Sequence, residues 1–129
     1  MIDMESLKMV FKTHCEENGL TYDEYTPVET SGGAIFASDA EEYSVMDEDS
    51  ADEMFNDMLD QHIEDCILSE IPEHLHYYFD SHSFKRDVQI NDGRGPTMAS
   101  YDGHEHEYFI PNPEDCQYPH IAYYVYRIN

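Results

Sequence analysis

Only six of the 129 residues are lysine or arginine, and none of these lies between Thr13 and Phe84. That 72-residue stretch carries twenty aspartates and glutamates, and the full chain sets 29 acids against six bases, a net charge of -23. The deficit excludes several functions. There is no basic footprint for reading nucleic acid directly, and no polybasic patch to hold an anionic membrane. No apolar run approaches the ~20 residues of a membrane-spanning helix. The opening MIDMESLKMVFK is amphipathic and too polar for a signal-peptide core. Cysteine is scarce too: Cys15, Cys66 and Cys116 are widely spaced and form no Cys-x-x-Cys. That usage favours reduced thiols in a cytosol over one disulfide plus a free thiol.

What is present argues for a folded chain. Disorder needs few aromatics and low hydrophobicity alongside the charge, whereas here 40% of residues are hydrophobic and 13% aromatic, including eleven tyrosines. The size suits a single domain over residues 1–129. Residues 3–18 read as a helix, with Leu7, Val10, Phe11 and His14 on one stripe, Lys12 and Glu16 paired on the wet side, and Asn18-Gly19 as the stop. Short extended pieces follow at residues 20–25, 34–37 and 43–46, separated by Pro27, Gly32-Gly33 and an acidic turn. Ser50-Ala51-Asp52-Glu53 has the pattern of a capping box and predicts the start of a second helix. Ala51, Met54, Phe55, Met58, Leu59, His62, Ile63, Cys66 and Ile67 give that helix a wide apolar face, with Cys66 a core thiol. Pro72 ends it or opens the next element, a short helical turn at 73–79.

From Phe84 onward the pattern reads as sheet: residues 87–90 and 97–101 alternate, Asn91-Asp92-Gly93 turns, and Asp102-Gly103 signals a hairpin into 105–110. A loop marked by Pro111, Pro113 and Pro119 leads to a tyrosine-rich strand at 121–128. The expected architecture is α+β: two or three helices, one long and acid-faced, packed on a small antiparallel sheet formed mainly by the C-terminal half.

The second helix concentrates the acidity. Between Asp52 and Asp65, six carboxylates (Asp52, Glu53, Asp57, Asp60, Glu64, Asp65) span a rod of roughly 20 Å. That is one charge per ~3.3 Å, near the ~3.4 Å phosphate spacing along one DNA strand. Asp47, Glu48 and Asp49 extend the line, and no lysine interrupts it. A merely solvated helix face alternates signs at i, i+4. A halophilic proteome is the other bland source of such acidity. The acid line points instead to a surface for a basic partner, with Asp47, Glu48, Asp49, Asp52, Asp57, Asp60 and Glu64 as contacts and sheet tyrosines Tyr101, Tyr108 and Tyr124 adding desolvated area.

Catalytic chemistry has weaker support. His104 and His106 straddle Glu105, and i, i+2 residues share a strand face. A metal there would need Cys116, His120 or Glu107 as further ligands. His74 and His76 form a second such pair on a helical turn, but no Cys-x-x-Cys or His-x-x-x-His knuckle is present. His14 and Cys15 are adjacent on a helix and point apart. Gly93-Arg94-Gly95 is too short for a phosphate cradle and opens no evident helix. Arg94 and Arg127 are expected to answer local carboxylates. No cofactor is indicated.

The C-terminal third carries Asp92-Gly93-Arg94-Gly95, then Tyr101-Asp102-Gly103 with Glu105 and Glu107, then Tyr124-Val125-Tyr126-Arg127-Ile128-Asn129. In these motifs, and in the acidic piece 46–55, the chain resembles a group of small acidic phage and prophage proteins. In many members a histidine follows Asp-Gly-Arg-Gly, where this chain has Pro96, so any role for that histidine is not carried over. The resemblance implies a phage accessory protein in the host bacterial cytoplasm. Joined to the acidic helix, it gives the functional expectation: an inhibitor presenting a DNA-like face to a basic, nucleic-acid-handling host protein of defence or transcription, such as a restriction or CRISPR effector, RNA polymerase or a nuclease. Direct binding to nucleic acid or membrane is not expected, and a homodimer would join two acid lines into one longer mimic. The alternatives are a small metal-assisted phage enzyme built on His104, Glu105 and His106, and an acidic module for a basic structural protein.

Overall fold

A computed structural model describes residues 4–111 and 120–129, and both halves of the chain feed one five-stranded antiparallel sheet of order β1-β2-β3-β5-β4. The strands are β1 (Thr26–Glu29), β2 (Gly33–Ala37), β3 (Glu42–Asp47), β4 (Glu105–Pro111) and β5 (His120–Arg127). The α+β expectation holds, including the long helix on an antiparallel sheet. The sheet is not mainly C-terminal, however, since three of the five strands precede residue 48. Helix α1 (Met4–Asn18) covers one face, and α2 (Glu48–His62) with the single turn α4 (Gly95–Met98) covers the other. Helix α3 (Ser81–Asn91) packs against α2.

Strand alternation divides two cores. Tyr43 and Val45 of β3 and Tyr123 and Val125 of β5 point toward α1, where Leu7, Val10, Phe11 and Cys15 meet Ala34 and Phe36. Phe11 stacks on Phe36 with ring centroids 4.4 Å apart. The intervening Met46, Tyr124 and Tyr126 point toward Ala51, Phe55, Leu59 and Met98. Because both faces are covered, residues 123–126 of β5 are buried without a break, and the strand reads as a continuous apolar run. Pro27 sits within β1, not between elements, and is tolerated because β1 is an edge strand.

Several local expectations are corrected. Residues 22–24 form a 3₁₀ turn. The ion pair on α1 is Lys8–Glu5 at 3.9 Å, not Lys12–Glu16. The α2 cap is Asp47, whose carboxylate accepts from the Ser50 amide at 2.9 Å, so Ser50 is inside the helix and forms no capping box. Of the residues expected as strands, 87–90 lie in α3, 97–98 in α4 and 99–101 in the turn after it, and Asp102-Gly103 leads the chain into β4 without closing a hairpin. The α2 path continues through a π-helical turn (Ile63–Ile67) and a 3₁₀ turn (Leu68–Glu70) to Pro72, which caps a 3₁₀ turn at Glu73–Tyr78. Pro113, Cys116 and Pro119 lie outside the described residues.

Candidate acidic interface

Helix α2 buries a narrow stripe. Ala51, Phe55 and Leu59 are buried, with Ile63 one turn beyond, each four residues after the last. Met54, Met58 and Cys66, expected inside, are exposed. The face turned away from the sheet carries Asp49, Glu53, Asp57, Asp60 and Glu64. Their spacings of four, four, three and four return each side chain to the same side of a helix with about 3.6 residues per turn. All five are exposed. They therefore follow one another at roughly one carboxylate per 5.4 Å turn. The tighter density counted along the sequence includes acids that point elsewhere.

Three of the expected contact residues have internal partners. Asp47 is spent on the helix cap. Asp52 turns sideways and meets the Arg94 guanidinium, Nη1 to Oδ1 2.6 Å. Asp60 is met by Lys85 of α3, Nζ to Oδ1 2.5 Å, and that ammonium also donates to Asn56 at 3.0 Å. Sequence neighbours do not neutralise the acid line, but the fold brings in two cations from more than 20 residues away. Among the described residues, Asp49, Glu53, Asp57 and Glu64 have no ion-pair or hydrogen-bond partner, and Glu48 is exposed beside them. Glu53 joins the ridge although it was not among the expected contacts. Its signal was its place in the i, i+4 series with Asp49 and Asp57.

Arg94 is the centre of a clasp. Its side chain is 8% exposed; Nε donates to Glu105 Oε2 at 2.9 Å and Nη2 to Glu105 Oε1 at 3.3 Å, a bidentate pair, while the guanidinium lies 4.3 Å above the Tyr124 ring. Tyr126 donates to Glu105 at 2.6 Å and Tyr124 to Glu107 at 2.8 Å. Burial by itself would lower the Arg94 pKa, but the bonds to Glu105 and Tyr124 outweigh it and the net direction is up. Burial, then the bond to Glu107, pushes Tyr124 up to about 12. Gly95 lets this corner close, because a Cβ there would sit 2.6 Å from the Gly103 carbonyl oxygen. Arg94, Glu105, Glu107, Tyr124 and Tyr126 are all members of the C-terminal motifs, and they join α4 and β4 to β5 and, through Asp52, to α2. Arg127 builds a second clasp, pairing with Glu41 at 3.2 Å and lying 3.7 Å over Tyr101. Both arginines thus answer carboxylates, as expected, and Gly93-Arg94-Gly95 does open a helical turn.

The remaining candidates disperse. Tyr124 is 3% exposed and unavailable to a partner; Tyr108 is half-buried with its hydroxyl 2.7 Å from His14 Nδ1; Tyr101 is exposed against Arg127. No group of three or more His, Cys, Asp or Glu among the described residues is arranged to hold a metal. Glu105 is engaged by Arg94 and Tyr126. Glu107 pairs with Tyr124 and so lies on the opposite face from His106, which pairs with Val125. His106 instead sits against His14, ring centroids 4.8 Å apart. His76 is bonded locally to the Ile71 carbonyl at 2.7 Å. Burial, followed by the neighbouring His106, pushes His14 down to about 4. Burial, with Glu41 and Glu16 adding, pushes the Cys15 thiol up to about 11, far from a reactive thiolate.

Fold and site together define an α+β domain whose outermost feature is an acid-ridged helix braced from behind by an arginine clasp. No protein family, curated protein or solved structure matches the chain. No described helix is long and apolar enough to cross a membrane.

Proposed function

We propose that this chain is a phage-encoded, non-catalytic inhibitor that occupies the basic nucleic-acid-binding groove of a host defence or transcription protein through the α2 ridge. One observation carries the reading: Asp49, Glu53 and Asp57 of α2, and Glu64 of the π-helical turn that continues it, stand exposed and without a partner among the described residues, while Lys85 and Arg94 are consumed by Asp60 and Asp52. A helix fixes such charges in space, so they reach a partner without the ordering cost of a flexible acidic tail. The field of a molecule with net charge -23 steers it toward a cationic groove and raises the encounter rate at low salt.

The test is capture on the immobilised protein from bacterial lysate, with duplex DNA as competitor. The reading predicts a nucleic-acid-binding protein that DNA displaces and moderate salt elutes. It also predicts no capture by a Glu53→Lys, Asp57→Lys, Glu64→Lys variant that still folds. Asp60 is left out because changing it would also break its bond to Lys85. Capture that ignores both DNA and the triple change would overturn the proposal. A partner that the triple change abolishes but DNA cannot displace would favour the acidic-module alternative.

A further inference from the structure

Most large apolar side chains left on this surface stand alone, but one segment gathers them. The 3₁₀ turn Glu73–Tyr78 exposes Leu75, Tyr77 and Tyr78, the two tyrosines at 90% and 78%. Their rings meet edge to face with centroids 5.6 Å apart. The backbone beneath them is held. The Leu75 amide donates to Pro72 O at 2.8 Å and the Phe79 amide to His76 O at 3.1 Å, and Phe79 packs against Phe84 of α3. Neither tyrosine hydroxyl makes a hydrogen bond to the rest of the described chain. The pair therefore contributes little to the fold that holds it.

Its place gives it meaning. A cleft of about 520 Å³, lined by Asp60, Ile63, Glu64, Leu68, His76 and Ser81, joins this turn to the C-terminal end of the ridge. Glu70, Glu73 and Asp80, close to the pair in sequence, are all exposed. Tyrosine supplies large contact area at low ordering cost, with a hydroxyl that can be bonded when the ring is desolvated. Stacking on a nucleic-acid base, resting on an anionic bilayer or meeting a second copy would each bring like charge against those carboxylates. A cationic protein surface would not.

We propose that Tyr77 and Tyr78 are the apolar anchor of the ridge interface, seating in an apolar pocket at the rim of the partner's basic groove. This deepens the proposed function and rests on it. In the division of labour, the ridge governs association and the tyrosine pair governs dissociation.

The experiment uses the full chain and the DNA-displaceable protein captured above, purified, in a surface-binding assay at several salt concentrations. A Tyr77→Ser, Tyr78→Ser variant should keep the parent's thermal melt and its association rate within about twofold, yet dissociate roughly 10- to 100-fold faster, as loss of a desolvated aromatic anchor does. Hydroxyl-radical footprinting should show both tyrosines protected in the complex. Unchanged dissociation and unprotected rings, while the ridge variant still abolishes binding, would overturn the anchor and leave the proposed function standing. No DNA-displaceable partner at all, or binding that neither variant changes, would overturn both. Tyrosine-dependent binding to single-stranded oligonucleotide, to anionic vesicles or to itself in sedimentation would assign the pair to another occupant and also overturn the anchor.

Discussion

Individual side chains do two separate jobs here, bracing and display, and substitutions should divide accordingly. Arg94 braces: removing it would take the cation from Glu105 and Asp52 and the packing from the Tyr124 ring, so Arg94→Ala should cost roughly 1–2 kcal/mol in chemical denaturation. Arg94→Lys should recover only part of that, because an ammonium cannot grip a carboxylate bidentately and stack on Tyr124 together. His14 gives the chain a pH dependence. Its folded value of about 4 lies below its unfolded value near 6.5, so between them the unfolded chain takes up a proton that the folded chain refuses. The His14 contribution is thus present above about pH 6.5 and is lost as pH falls toward 4, by up to about 1.4 kcal/mol per pH unit. Carboxylate protonation relieves self-repulsion over the lower part of that range and acts in the opposite sense. The measurement is therefore the difference between denaturation curves of the parent and His14→Gln. The parent should lose stability relative to the variant from pH 6.5 to 4, and parallel curves would contradict the assignment.

Among the elements, α2 shows how far local pattern carries. The existence and the acid side of α2 were legible from periodicity and punctuation, whereas Pro72, expected to end the helix or open the next element, lies well past His62 and caps the 3₁₀ turn at Glu73–Tyr78. The start of α2 was not legible, because Asp47 and Ser50 are both acceptable N-caps three residues apart. The choice falls to β3, which pairs Asp47 with Tyr123 and holds residue 47 extended, so the helix begins at once. Asp47→Ala should therefore cost about 1 kcal/mol of stability and leave partner capture intact, the reverse of the ridge variants. The misreading of α3 has a different cause. This helix buries no residue fully, so no wide apolar face marks it, and the short alternation at 87–90 reads as a strand. The better signal was Asp80, whose carboxylate caps the helix through the Ser83 amide at 3.0 Å. Pairings such as Arg94 with Asp52, 42 residues apart, leave no local trace at all. Lys85 is the polar tie between α3 and the ridge, so Lys85→Ala should speed amide exchange across residues 81–91. The same change frees Asp60 and should raise the rate of association with the partner at low salt.

Taken as one body, the protein is a sheet covered on both faces, with exposed acids on many elements and one regular line of unpaired carboxylates along α2. Self-repulsion at net charge -23 is screened by salt, so added sodium chloride should stabilise the isolated chain while weakening its complex. The most direct measurement is the association rate with the purified partner across a salt series, for the parent and for the Glu53→Lys, Asp57→Lys, Glu64→Lys variant. The rate should fall steeply with salt in the parent, and in the variant, which remains strongly acidic, it should be slower and fall with a shallower slope. Equal rates and equal slopes for the two proteins would contradict a role for the ridge.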